Sequence, residues 1–291
     1  MLRLALSTTA ETFDRLREPL ADRGIDVDHL QAKERSIRLT DRDPVDPTAA
    51  FDVGFVFPGR LMEGTAVDAI HDLPWVNDRE AVLTSRNKGG VIAALSEADL
   101  PVPETVMLSN PVDESVVTDA VADLSFPVVV KPNSATRGVG VAKAGDVDSL
   151  LGIVDYLNLV HDYRATGDKS YLIQEYLPDA RDYRVMVVDG EYVGAVERRL
   201  PESLGEGRWK HNVHRGAEAT GVDLPAEHRR LAERVADVLG ISYLGVDLLE
   251  TDDRLVVNET NARPTVDAAT KYEEGFYDRL ADLIKRTARD G

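Results

Sequence analysis

Short apolar runs alternate with helical stretches through the first eighty residues, and this alternation restricts the fold more than any other feature of the chain. Leu2–Ser7 alternates and reads as a strand, and a helical pattern follows from about Ala10 to Arg23, with Gly24 placed as a C-terminal cap. Asp26–Leu30 predicts a second strand, and Asp52–Phe57 a third that Pro58-Gly59 ends. Such alternation builds a small parallel α/β domain. No Gly-x-Gly-x-x-Gly follows the first strand, so the dinucleotide fingerprint is missing. With 291 residues, about two domains are expected, and 43% hydrophobic residues are enough for a real core.

The pattern then changes. A helix is expected from Ser85 to about Ala98, broken by Leu100-Pro-Val-Pro103. Two strand-like runs, Phe126–Lys131 and Gly138–Lys143, flank the turn Pro132–Arg137, and a helix over about 147–163 and the strand Tyr171–Tyr176 follow. Tyr183–Val188 and Tyr192–Arg198 flank Asp189-Gly190, one of the strongest short hairpin signals. Residues 200–216 carry Gly205, Gly207 and Gly216 without periodicity, which reads as a mobile loop. A helix from about Ala226 to Leu239, a hairpin pairing Tyr243–Glu250 with Leu255–Asn261, and a helix from about Glu274 close the chain.

Composition excludes several functions. Lys+Arg total 34 against 52 Asp+Glu, a net charge of −18, which disfavours nucleic acid and anionic membranes as partners. The acids are spread along the chain, and the basic residues comprise only 8 Lys against 26 Arg. That balance fits a protein adapted to high salt, where counterions screen self-repulsion, the plainer alternative being an ordinary acidic cytoplasmic protein. No run of ~18 apolar residues predicts a membrane span. Arg3 interrupts the short apolar N-terminus, which reads as a buried strand and not a signal peptide, so the expected location is the cytoplasm. The chain has no cysteine, which removes thiolate metal sites and cysteine nucleophiles. His211 and His214 lack the companions of a zinc site, and no Gly-x-Ser-x-Gly marks a serine hydrolase.

Three groups of residues could carry chemistry. Asp247, Glu259 and Asn261 lie in otherwise apolar strands, where acids are costly unless paired or metal-bound. A three-residue connection at Asp252–Arg254 would pair 249 with 257, 247 with 259 and 245 with 261, setting all three on one face. That oxygen set suits Mg²⁺, though a solvated hairpin face would look the same. Lys131 ends an apolar strand before a loop bearing Ser134, Thr136, Gly138 and Gly140, which could approach phosphate oxygens, and Lys88 lies near a helix N-terminus. No Walker loop occurs. Gln174–Pro178 could present backbone groups and a carboxylate to an adenine edge, with Asp182 beyond it for ribose hydroxyls.

In order, Ser85–Lys88, Phe126–Pro132 with Arg137–Gly140, Gln174–Pro178, Arg181–Arg184, Glu197–Arg199, Lys210–Gly216, Gly245–Asp247 and Asn258–Asn261 resemble the ATP-grasp superfamily, specifically its RimK-like carboxylate–amine (α-L-glutamate) ligases. The resemblance implies an N-terminal α/β domain (1–84), an ATP-grasp small subdomain (85–177) and a C-terminal subdomain with the Mg²⁺ site (178–291). It implies ATP held by Lys88, Lys131, Gly138, Gly140, Glu175, Tyr176, Leu177, Asp182, Lys210, His211 and Asn212. Two Mg²⁺ ions, or Mn²⁺, would sit on Asp247, Glu259 and Asn261. Lys210, Arg199 and Arg215 would serve catalysis, and Arg184, Arg199, Arg215 and Arg263 are candidates for gripping substrate carboxylates. The implied reaction phosphorylates a carboxylate and lets an amine attack the acyl phosphate, adding glutamate or a similar amino acid to a small-molecule or protein acceptor. Alternatives are a ligase for a carrier protein or glutamylated coenzyme, or a nucleotide-binding module without turnover; a homo-oligomer is compatible with each. Lys210 stands where relatives usually have Arg, and Asn261-Ala-Arg263-Pro-Thr lacks their small-residue–Pro–Gly ending. Asp247→Asn or Glu259→Gln is expected to remove turnover while the fold survives.

Overall fold

In this computed structural model all residues are described except 32, 35, 38, 41–50, 137, 161–167, 202–208 and 210–215, and no side chain is described at 159 or 160. The N-terminal alternation folds as a parallel sheet of β1 (Leu2–Leu6), β2 (Ile25–His29), β3 (Val53–Phe55) and β4 (Trp75–Val76) in the order β2-β1-β3-β4. Helices α1 (Ala10–Ala21) and α2 (Leu61–His71) connect its strands. The order reverses between β1 and β3, so a topological switch point opens at their carboxyl ends. Leu4, Leu6, Leu16, Leu20 and Phe55 pack this layer together with Leu280, Leu283 and Ile284 of the last helix, α8 (Phe276–Asp290). The C-terminus of the chain therefore returns to the first sheet.

The helix expected over 85–98 is two helices. Asp78 caps α3 (Arg79–Arg86) through Ala81 N–H, and Asn87 ends it while capping α4 (Lys88–Glu97) through Gly90 N–H. An Asx side chain that accepts from the backbone restarts the helix in a new direction. α3 and α4 pack on strand β13 introduced below.

The middle sheet is antiparallel, β5 (Thr105–Ser109), β8 (Ser170–Glu175), β6 (Val128–Pro132) and β7 (Ala142–Ala144) in that order, with α5 (Glu114–Ala120) and α6 (Val147–Val160) beside it. The run expected from Gly138 starts pairing only at Ala142, because Gly138 and Gly140 have φ of +65° and +75° and belong to the turn.

The C-terminal sheet is β11 (Glu218–Val222), β10 (Glu191–Arg199), β9 (Arg181–Val188), β12 (Tyr243–Glu250) and β13 (Leu255–Asn261), covered by α7 (Ala226–Leu239). Asp189 and Gly190 both have positive φ, 55° and 78°, the geometry of a tight primed turn. In the β12/β13 hairpin two departures cancel. The connection has four residues, so Leu249 pairs Val256 and Leu248 pairs Val257, but Asn258 is a bulge. Beyond it Asp247 faces Glu259 and Gly245 faces Asn261, the expected register at the three candidate ligands.

Candidate active site

The α3–α4 junction, the end of β6 and the β12/β13 hairpin bring the charged candidates together. Ser85 fixes the junction on β13: its hydroxyl lies 3.1 Å from Thr260 Oγ1 and accepts Ala262 N–H at 2.9 Å. Asn133 ties it to the loop after β6, accepting Gly89 N–H at 2.8 Å and donating to Asn87 Oδ1 at 2.9 Å. The next residue, Lys88, is thereby turned inward and is 6% exposed. Its Nζ donates to Ala135 O at 2.5 Å and stands 3.3 Å from Glu259 Oε1.

Lys131 lies buried on β6, where Nζ donates to Gln174 Oε1 at 2.9 Å and Asn258 Oδ1 at 3.4 Å. Burial pushes its pKa down to about 8; Glu259 and Asp247 oppose that shift and Lys88 adds to it. Two buried lysines thus converge on one half-exposed carboxylate. Gly138 and Gly140 lie in the turn beyond, Gly138 half-buried and Gly140 exposed.

Asp247 is not an open carboxylate. Arg184 grips it as a fork, Nε to Oδ1 at 2.7 Å and Nη2 to Oδ2 at 2.8 Å, and Arg198 Nη2 reaches Oδ2 at 3.0 Å. Burial alone would raise its pKa, but the two guanidiniums hold it below the ordinary carboxylate range. Arg184, a candidate for gripping substrate, is spent on this pair. Arg198 also donates to Asp182 Oδ1, so Asp182 is buried in an ion pair. Arg199 is exposed and pairs with Glu197.

The oxygens remaining for a cation are those of Glu259, whose side chain is 35% exposed, and of Asn261, whose Oδ1 accepts Arg263 N–H at 2.9 Å. Among the described residues no group of three or more His, Cys, Asp or Glu forms a ready-made cage. A hard cation that keeps waters and phosphate oxygens needs only one or two carboxylates, so this donor set fits Mg²⁺.

At the end of β8, Glu175 accepts Glu104 N–H at 2.8 Å and binds Arg254 through both oxygens, 2.8 and 2.9 Å. Burial would raise its pKa, but the Arg254 and Glu104 hydrogen bonds bring it below the ordinary value. Tyr176 meets Trp209 edge-on at 5.9 Å, with Lys143 Nζ 4.4 Å from the Tyr176 ring, and Leu177 is half-buried beside it. Lys210, His211, Asn212 and Arg215 lie outside the described residues. Sequence reasoning placed Gln174, Arg198 and Asn258 inside motif segments without giving them these roles, and it missed Arg254. Arg198 is legible only in that the Asp189-Gly190 hairpin sets it opposite Asp182; nothing in the sequence marks the bulge at Asn258.

A RimK-like ATP-grasp domain model matches residues 85–278. The chain belongs to that family. A probable alpha-L-glutamate ligase of Citrobacter koseri is 30% identical over 198 residues, 67% of this chain and 62% of that protein. The tetrahydromethanopterin:alpha-L-glutamate ligase of Methanocaldococcus jannaschii is 30% identical over 219 residues, 74% of this chain and 71% of that one. Among solved structures, a RimK domain ATP-grasp protein from Sphaerobacter thermophilus superposes with TM-score 0.68 at 22% identity, covering 99% of this chain and 98% of its own. The D-alanine–D-alanine ligase of Bacillus anthracis complexed with ATP gives 0.69 at 16% identity, covering 100% and 98%. These likenesses establish the ATP-grasp fold, a mixed α/β and α+β architecture. Among the described residues no helix is long and apolar enough to cross a membrane.

Proposed function

We propose that this protein is an ATP-dependent carboxylate–amine ligase that forms an amide bond through an acyl phosphate, adding L-glutamate or a similar amino acid to a carboxylate acceptor. The observation that carries the reading is the convergence of Lys88, Lys131 and Glu259 at the junction of two sheets, in a chain of the RimK-like family. Lys88 and Lys131 would exchange their carbonyl, amide and carboxylate partners for ATP phosphate oxygens. Phosphoryl transfer needs positioning and charge neutralisation more than a protein nucleophile, which suits a site without cysteine or a serine triad. Glu259 and Asn261 would hold Mg²⁺, and Asp247 would join them, for a second ion, only where Arg184 or Arg198 lets go of one of its oxygens. Bound there, Mg²⁺ would neutralise charge on the transferring phosphoryl.

The Glu175–Leu177 linker would line the adenine, its Glu175 carboxylate held rigid by Arg254, while Tyr176 and Trp209 supply ring surface. Asp182 reaches a ribose only if Arg198 shifts wholly onto Asp247. Lys210, Asn212 and Arg215 would close over the acyl phosphate and exclude water. The acceptor is a small molecule or a protein terminus, the two kinds named among the relatives being a pterin and a ribosomal protein. We also read the −18 charge as adaptation to high salt.

ADP release measured across amino acids paired with candidate acceptors tests the reaction. Release that depends on one amino acid and one acceptor together establishes it; ATP binding without release under any pairing points instead to a nucleotide-binding module.

A further inference from the structure

A cavity outside the phosphate site lies where α2, the segment leading into β4, the start of α3 and the last turn of α8 meet. It holds about 500 Å³, within the range of ordinary ligand sites and far more than one ion fills. Phe57, Leu73, Pro74 and Trp75 give it an apolar floor. The Trp75 indole is fixed there. Its Nε1–H donates to Asp68 Oδ1 at 2.6 Å, and the Phe57 ring meets it edge-on at 5.4 Å. On its other side the ring lies so close to Gly54 that a Cβ there would overlap it.

Asp68, Asp78, Glu80 and Asp290 line the same cavity against a single base, Arg79, which pairs with Glu80 at 3.1 Å. α8 ends here, and the carbonyls of its last turn add negative potential. The four carboxylates do not close on one point: among the described residues no three acids or histidines stand close enough to share a metal ion. Spread acids over an apolar floor repel an anion and offer a lone cation no cage. They suit several cationic groups, each on an apolar stem. Lys and Arg side chains lay their methylenes on apolar surface and extend their charge beyond it, and a guanidinium also stacks on aromatic faces.

We propose that this groove docks an extended basic segment of a protein partner, its Lys or Arg stems over Leu73, Pro74 and Trp75 and its charges against the four carboxylates. A linear polyamine would meet the acids but has no side chains to cover the floor. α3 starts at the groove with its Asp78 cap and is eight residues, about 12 Å, long, ending at the α3–α4 junction that carries Lys88. The groove shares no lining residue with the cluster of Lys88, Lys131 and Glu259, so a partner held here leaves that cluster open. The docking goes beyond the ligase reading and does not depend on it.

Fluorescence anisotropy of labelled short peptides in molar KCl tests the groove, since high salt screens the general attraction of a chain of charge −18. One peptide alternates arginine with serine. A second replaces arginine by diaminopropionic acid, which keeps the charge and lacks the stem, and a third carries glutamate instead. The arginine peptide is expected to bind at least about tenfold tighter than either. Glu80→Gln combined with Asp290→Asn, both at exposed positions, is expected to weaken it by about tenfold. In a Trp209→Phe background Trp75 is the sole indole, and its emission is expected to shift as the arginine peptide saturates the protein. Absent binding, equal binding of the arginine and diaminopropionic peptides, undiminished binding in the double variant, or saturation without a change in Trp75 emission overturns the groove. Spermine that competes with the arginine peptide and binds as tightly overturns the assignment to a protein segment. None of these measurements uses ATP, so the groove and the ligase reading fail separately.

Discussion

Asp247→Asn is expected to damage the fold, not merely the chemistry. Both Asp247 oxygens are engaged by Arg184 and Arg198 within 2.7–3.0 Å, and the carboxylate is 5% exposed. An amide keeps one acceptor, but its NH₂ faces a guanidinium donor and the two positive charges lose their shared counter-charge. Removing one member of a buried ion pair typically costs about 3–5 kcal/mol. At roughly 2–3 °C per kcal/mol for a chain of this size, the melting temperature should fall by about 6–15 °C. The pH dependence has a definite sign. Because the arginines lower the Asp247 pKa, its contribution is complete above the ordinary value near 3.8 and is lost as pH falls through the lower folded value. The gap between wild type and variant should therefore hold from pH 8 to pH 5 and narrow below about pH 4. Calorimetric or fluorescence melts across that range, without nucleotide, make the measurement. A shift smaller than about 2 °C at neutral pH would refute the clamp and return Asp247 to the status of an open ligand.

Glu259→Gln makes the complementary test of the metal site: it loses one partly exposed contact to Lys88, so the melting temperature should move by only about 3 °C or less while Mg²⁺-dependent ATP turnover disappears. Turnover within a few-fold of wild type would count against Glu259 as a ligand. Cooperative folding should require molar KCl, since 52 acids repel one another most when unscreened, and melts indifferent to salt would remove the halophilic reading. Mg²⁺ with ATP should protect residues 205–216 from hydrogen exchange, and Lys210→Ala should lower turnover far more than nucleotide affinity. Unchanged protection together with full activity in that variant would make the loop a bystander.

Elements whose sequence signal is local were legible. The Asp189-Gly190 turn, α7 and both strands of the β12/β13 hairpin fall where the pattern puts them, because turn chemistry and periodicity decide each within a few residues. The break at Asn87 was not, since an asparagine in a helical pattern reveals its role only once Gly90 N–H is seen to point at it. β4 and β5 escaped because one has two residues and the other is short and mostly half-exposed, so neither carries a strong alternation. At the site, the register that sets Asp247 opposite Glu259 was expected from a loop one residue too short and arose through a bulge one residue long. The clamp on Asp247 depends on β9 lying between β10 and β12, which juxtaposes Arg184, Arg198 and Asp247 from three strands. Pairing across non-consecutive strands is a property of topology and leaves no mark on any one segment.

The distribution of unmatched positive charge ties these observations together. Acids are abundant enough to neutralise every basic side chain, and Arg184 on Asp247 and Arg198 on Asp182 are buried or half-buried arginines that meet a carboxylate. Four of the exceptions form a line. Lys131 meets an amide side chain and a neighbouring asparagine, Lys88 divides itself between a carbonyl and a half-open Glu259, and Arg86 and Arg263 have carbonyls alone. Arg86 and Lys88 are separated only by the capping residue Asn87, so the line passes through the α3–α4 junction from the middle sheet to the switch point of the first. Long-range attraction from a surface of charge −18 cannot draw an anion in; low-dielectric cations that outnumber the carboxylates beside them can retain one that arrives. A phosphate chain bound at Lys88 and Lys131 would complete the neutralisation that the protein itself leaves undone there.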